Sequence, residues 1–205
     1  MSFKLTEKDL QDIQLVKCKD NYNLWKDDDL EDLRKRIKDY FLDLPELACC
    51  YCNRNFKGEF RMVIDIEHIL PKGKFKDLTY EPLNLNISCK RCNMQYKNEN
   101  TDFIIDETAM GTDYFKSNHY KIIHPNLDTY LKHLNLNVYQ YGKNKYTKYR
   151  VIENSSKGHF TYNYFNLKDF EIENINRAQG GNIINLSDKI KTQIRQILFV
   201  LLTKI

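Results

Sequence analysis

The chain has 205 residues, 41% of them hydrophobic, and a formal net charge of +4. That length suits one domain with decorations or two small ones, and no run approaches the roughly 18 apolar residues of a membrane span. With only 7 Gly and 4 Pro against 14 Tyr and 11 Phe, long disorder is excluded. The opening MSFKLTEKDLQD is polar and acidic, unlike a signal peptide. Six cysteines in such a chain point to a reducing, cytoplasmic setting and to metal binding in place of disulfides.

In chain order, Thr6 is placed to cap a first helix, with Leu10, Ile13 and Val16 at helical spacing. A second helix carries the apolar stripe Leu30, Leu33, Ile37, Tyr40 and Phe41, and Asp27 to Asp29 sit at its start, where the macrodipole favours them. Phe60 to Ile66, FRMVIDI, reads as a strand that Pro71 and Gly73 end. A loop with Pro82 leads to the apolar stretch Leu85 to Ile87, and a helix is expected from just after Cys89 to about Tyr96. Beyond Asn100 the pattern predicts a short helix over Asp128 to Leu134 and a hairpin of Arg150 to Ile152 with Phe160 to Tyr164. A helix capped by Asn166 is then expected to end at Gly180-Gly181, and a last one is capped by Ser187 with Ile194 and Leu198 on its apolar face.

The chemistry concentrates between Cys49 and Asn100. Cys49 with Cys52 and Cys89 with Cys92 form two Cys-x2-Cys knuckles, the spacing of a closed tetrahedral Zn²⁺ site, one per chain. Cys50 lacks the two-residue spacing to Cys52 and is left out. Between the knuckles lie Glu67-His68 and Asn84, and Asn93 follows the last cysteine. These residue types suit phosphodiester hydrolysis. His68 serves as a base that is neutral near pH 7. Glu67 and the Asn93 amide oxygen serve as hard ligands to Mg²⁺ or Mn²⁺, with Asp65 as the runner-up carboxylate. Asn84 is placed to fix the His68 ring by a hydrogen bond. Adjacent strand residues point to opposite faces, so Glu67 and His68 can share one site only if the strand ends or twists there.

These residues resemble the HNH endonucleases, whose ββα-metal core is often braced by a four-cysteine zinc site. That pattern is a carboxylate–histidine pair, a central Asn, and a final His or Asn on a helix, matched here by Glu67-His68, Asn84 and Asn93. The helix lysine falls at Lys97, four residues after Asn93 where three is usual, and Lys72 stands where a phosphate contact is expected. A looser resemblance links IEHILPKGKF, IIHPNLDTYLKHL and FNLKDFEIENINRA to the nuclease subunit of Septu-type anti-phage systems, which works with an ATPase subunit.

The resulting expectation is an α+β protein: a helical flank over 1–44, an HNH core with its zinc site over 45–103, and a mixed extension over 104–205. It would cleave DNA with a divalent metal, in defence against foreign DNA, docked to an ATPase through Leu33, Ile37 and Phe41 or through Ile194 and Leu198. The rivals are a non-catalytic zinc module, in which Glu67, His68 and Asn93 do not converge, and a toxin or homing-type nuclease. His124, Asp128 and His133 are read as structural. KNKYTKYR, Lys143 to Arg150 with Tyr146 and Tyr149, reads equally as a nucleic-acid stacking surface or an exposed strand.

Overall fold

The computed structural model describes residues 3–20, 22–141 and 144–171. The architecture is α+β. Two helices, α1 (Glu7–Lys17) and α2 (Glu31–Leu42), precede a short antiparallel pair, β1 (Ile64–His68) and β2 (Leu85–Cys89), which runs into a wide helix over Arg91–Lys97. After a single turn, α3 (Glu107–Met110), come a second antiparallel pair, β3 (Leu134–Tyr141) with β4 (Asn144–Val151), and the helix α4 (Ser156–Tyr164). Among the described residues, no helix is long and apolar enough to cross a membrane.

α1 starts where its sequence predicts. Thr6 Oγ1 accepts from the Asp9 amide at 3.2 Å, and the Asp9 carboxylate accepts from the Thr6 amide at 2.7 Å, a complete capping box. Its apolar stripe is thinner than expected: Val16 is buried but Leu10 is exposed. α2 is anchored as its spacing implies, with Leu33, Ile37 and Phe41 all in the core. Those three side chains are therefore not a docking face for another protein. Ile194 and Leu198, the Gly180-Gly181 helix end and the Ser187 cap lie outside the described residues.

The strand expected over Phe60 to Ile66 is shifted. β1 begins only at Ile64, because its partner supplies five residues and the register runs from Ile64 opposite Cys89 to His68 opposite Leu85. Residues 61–63 form a 3₁₀ turn, and Phe60 and Met62 face solvent.

The second half differs more. The hairpin is β3–β4, with Leu134 opposite Val151, so Arg150 and Val151 end its second strand while Phe160 to Tyr164 lie in a helix. Ser155 is the reason. Its hydroxyl accepts from the Gly158 amide at 3.0 Å and caps α4. The helix expected over Asp128 to Leu134 shrinks to a 3₁₀ turn at Tyr130–Lys132, since the chain enters β3 at Leu134. Asn166 adopts a left-handed conformation, φ 43°, and its side chain bonds Asp169 at 2.7 Å instead of capping a helix.

Gly158 is where α4 touches the strand entry. A Cβ there would stand 2.3 Å from the backbone oxygen of His133. Gly158→Ala should thus cost on the order of 1–3 kcal/mol, read as a lower urea midpoint, whereas Gly111→Ala, with no atom within 4 Å of its added Cβ, should cost only about the strain of a positive φ, roughly 1 kcal/mol.

Candidate active site

The Cys49, Cys52, Cys89 and Cys92 sulfurs all lie within 4.8 Å of one another, and all four residues are buried. Four sulfurs about 2.3 Å from one tetrahedral ion stand about 3.8 Å apart. The Cys52 and Cys89 sulfurs are 3.9 Å apart. Backbone amides point inward as well: the Cys89 amide donates to the Cys49 sulfur at 3.4 Å and the Cys92 amide to the Cys89 sulfur at 3.5 Å. The four thiols share hydrogen bonds that lower the Cys89 thiol and raise those of Cys52 and Cys92, because four thiolates so close together repel unless a cation lies between them. The donor set fits a closed structural zinc site. Cys50 stands outside it: its amide donates to the Ile87 carbonyl at 3.0 Å, and burial pushes its thiol up.

The zinc knuckles fix the two edges of the ββα unit. The first knuckle turns at Asn53, whose φ of 54° suits an Asn better than a bulky residue. The second starts at the end of β2 and carries Cys92 into the Arg91–Lys97 helix. That helix is of the wide π type, its last amide, Asn98, reaching back to the Asn93 carbonyl at 2.7 Å.

One face of β1 packs on this helix in two rungs. Two strand residues span about 6.6 Å and one helical turn about 5.4 Å, so residues two apart on β1 meet residues about a turn apart on the helix. At the outer rung, the Asp65 carboxylate accepts from the Asn93 amide at 3.3 Å and from Lys90 at 2.8 Å. At the inner rung, Glu67 is wholly buried and paired with buried Lys97 at 2.9 Å. The Tyr51 hydroxyl donates to the same Glu67 oxygen at 2.9 Å, and the Ser88 hydroxyl donates to the other at 3.4 Å. Burial pushes the Glu67 carboxyl up, against the pull of Lys97, Tyr51 and Ser88.

His68 points the other way, as strand alternation requires. Its Nε2 lies 3.0 Å from the Thr79 carbonyl. A carbonyl only accepts, so Nε2 carries the proton and Nδ1 keeps its lone pair. Burial, with Lys72 and Lys97 adding to it, lowers the imidazole pKa from 6.5 to about 3, so the ring is neutral near pH 7. The Trp25 ring stands edge-on to it, with centroids 4.4 Å apart.

Asn84 makes no bond to this ring. Its amide oxygen accepts from the Leu70 amide at 2.7 Å, and its nitrogen donates to the Leu70 and Leu78 carbonyls at 3.1 and 3.0 Å. It staples the loop between β1 and β2, and that loop presents Thr79 to His68.

A cavity of about 420 Å³ runs along β1, lined by Ile64, Asp65, Ile66 and His68, with Asn93 and Lys72 beside them. Consecutive strand residues share one cavity because this edge of β1 has no strand partner among the described residues. Trp25, Arg34, Lys35 and Lys38 form the opposite wall. The structure thus brings together His68, Asp65, Asn93 and Lys72, and removes two expected members. Glu67 is committed to Lys97, and Lys97, at 2% side-chain exposure, is committed to Glu67 and cannot meet a phosphate.

The α2 wall and Trp25 escape sequence reasoning, because nothing local ties them to residues 30 or more positions away. Tyr149 is also corrected: it is buried, its hydroxyl donating to the Cys52 carbonyl at 2.6 Å, so it braces the zinc knuckle and does not stack on bases. Asp128 pairs with Lys157 at 2.6 Å and accepts from the His124 amide at 2.7 Å, while His133 Nδ1 meets the Ser155 hydroxyl at 2.7 Å. These three act within the fold and form no metal cluster among the described residues.

Removing one member of a buried ion pair strands the other. Lys97→Met should cost about 3–5 kcal/mol, and Glu67→Gln combined with it should recover much of that loss in urea denaturation of the zinc-loaded chain. Simple additivity of the two losses would show that the pair is not coupled.

The family model described as HNH endonuclease matches residues 49–99, about a quarter of the chain. No curated protein and no solved structure matches. The matched segment opens at the first zinc-knuckle cysteine and closes just after the helix that bears Asn93 and Lys97. Over residues 49–99 the chain carries an HNH endonuclease domain.

Proposed function

We propose that the protein is a metal-dependent endonuclease that hydrolyses phosphodiester bonds of DNA at the β1 cavity. The supporting observation is that a neutral His68, oriented by Thr79, opens into the same cavity as the Asp65–Asn93 pair. His68 is the base that takes a proton from the attacking water. Asp65 and Asn93 offer a carboxylate and an amide oxygen, the hard donors that Mg²⁺ or Mn²⁺ requires. Such an ion, when bound, neutralises charge that builds on the phosphate. The HNH resemblance makes Glu67 the ligand, but Glu67 is held in a buried ion pair with Lys97, whereas the pair of Asp65 with Lys90 is partly exposed and so easier to exchange for a cation. Asn84 acts on His68 through the loop it staples, as a positioning residue. Trp25 keeps bulk water off one side of the imidazole. Lys72 lines the same cavity and serves to meet a phosphate.

The second reading is a zinc module that binds nucleic acid or a partner without cleaving. The burial of Glu67 away from His68 and Asn93 is the observation in its favour. The narrower proposal, a defence nuclease working with an ATPase subunit, rests on the spaced segments shared with Septu-type proteins; the family match ends at residue 99. Two of those segments lie beyond it. Co-purification from the native operon with an ATPase would support that role, and a lone, fully active chain would refute it.

Plasmid cleavage separates the two main readings. Wild type should nick or linearise plasmid with Mg²⁺ or Mn²⁺ and stop with EDTA. His68→Ala should lose on the order of 10²–10⁴-fold in rate while keeping its fold. Asp65→Asn should raise the metal concentration needed for half-maximal cleavage, and Glu67→Gln should act mainly on stability. Full activity in His68→Ala would end the assignment of the base. A raised metal requirement in Glu67→Gln alone would return the ligand role to that residue.

A further inference from the structure

The cavity before His68 has a wall that the base and the Asp65–Asn93 pair do not use. It is built by α2, which places Arg34, Lys35 and Lys38 along it, and Lys72 lines the same cavity. These cations share the cavity with only two carboxylates, Glu31 and Asp65. The lining of this cavity therefore carries an excess of positive charge. Residues 34 and 38 are four apart, so they sit one above the other on the helix, about 6 Å apart along its axis.

The helix is not free to turn this face elsewhere. Leu33, Ile37 and Phe41 lock its other side into the core. Lys38 also bonds the Ile64 carbonyl, tying the helix to the free edge of β1. Arg34 donates to the Asp27 carbonyl at 2.7 Å and also to the Tyr80 hydroxyl, and its guanidinium, with five N–H donors, has others left. The carboxylates near Lys35, Glu31 at 2.9 Å and Asp32 at 3.8 Å, lie on its own helix and are well exposed. Such pairs are worth little, so exchanging them for a phosphate costs little.

We propose that α2 is the phosphate-binding wall of this cavity, with Arg34, Lys35 and Lys38 facing Lys72 across a DNA strand and holding the phosphates that flank the one attacked. This rests on the nuclease reading above and extends it to the substrate-binding surface. The N-terminal flank is then part of the active site. Trp25, the chain's single tryptophan, sits beside His68 in the same cavity and reports on its filling.

The test is binding by the full zinc-loaded chain in a His68→Ala background, which prevents turnover. A fluorescein-labelled DNA duplex is titrated by anisotropy at several salt concentrations, and Trp25 emission is followed with unlabelled duplex. Adding Lys35→Glu and Lys72→Ala should weaken binding about tenfold or more and flatten the log–log salt slope by about 2, one unit for each lost phosphate contact. Lys57→Glu, an exposed charge change outside the cavity, should leave both unchanged, and duplex should alter Trp25 emission. Unchanged affinity and slope in the double variant, with wild-type cleavage intact, would overturn the wall and leave the nuclease reading standing. Binding that depends on Lys35 and Lys72 in a chain whose wild type cleaves nothing would uphold the wall and overturn the nuclease reading. No binding by the His68→Ala chain itself would overturn the wall.

Discussion

Four buried sulfurs packed within 4.8 Å of one another are the constraint on which this structure depends. Thiolates so close repel, and burying them without a cation is costly. A zinc ion removes that cost, and its binding free energy becomes folding free energy. An ion held by the four sulfurs would tie a turn at residues 49–52 to the end of β2 and the start of the next helix, and would close a loop around both strands and everything between them.

The positions of the chemical groups follow from that clamp. Asn93 adjoins Cys92, so the four-cysteine cluster sets where its amide lies, and Asp65 meets it across the outer rung of β1 and the helix. The inner rung is closed by Glu67 and Lys97, with Tyr51 from the first knuckle bonded to the same carboxylate. The second half of the chain reinforces the clamp. Arg91 stacks between Tyr96 and Phe170, each ring centroid 4.3 Å away, and donates to the Phe165 and Asn166 carbonyls at 2.8 and 2.9 Å. Tyr51 stacks on Phe165, centroids 4.4 Å apart. Trp25 and α2 do the complementary task beside His68, where β1 has no second strand partner among the described residues.

Much of the centre was legible in the residues. The doubled Cys-x2-Cys spacing named the four sulfurs and left out Cys50, because ligand spacing is a local property. The same local pattern names His68, Glu67 and Asn93, with Asp65 as the second carboxylate, and keeps Glu67 and His68 in one site only on the condition that the strand ends or twists between them. What no local pattern carried was the partner awaiting Glu67, since Lys97 lies 30 residues on and reaches it only once β1 and the helix pack. Asn84 was recognised, but its contacts to Leu70 and Leu78 depend on the path of a loop that only the fold defines. The α2 stripe predicted burial of Leu33, Ile37 and Phe41; their burial in this chain's own core is what removes them as a docking face. Ser155, Ser156 and Gly158 look like a hairpin turn, but Ser155 caps α4 and the other two lie in its first turn, while the strand is carried by the alternation of LNLNVYQY.

The central claim is that one zinc ion, held by four thiolates, organises the site. X-ray absorption at the zinc edge of the purified chain tests it most directly. The account predicts one zinc per chain, with four sulfur neighbours at about 2.3 Å and no nitrogen or oxygen in the first coordination sphere. A folded chain that carries no zinc, or a zinc bound through nitrogen or oxygen ligands, would contradict it.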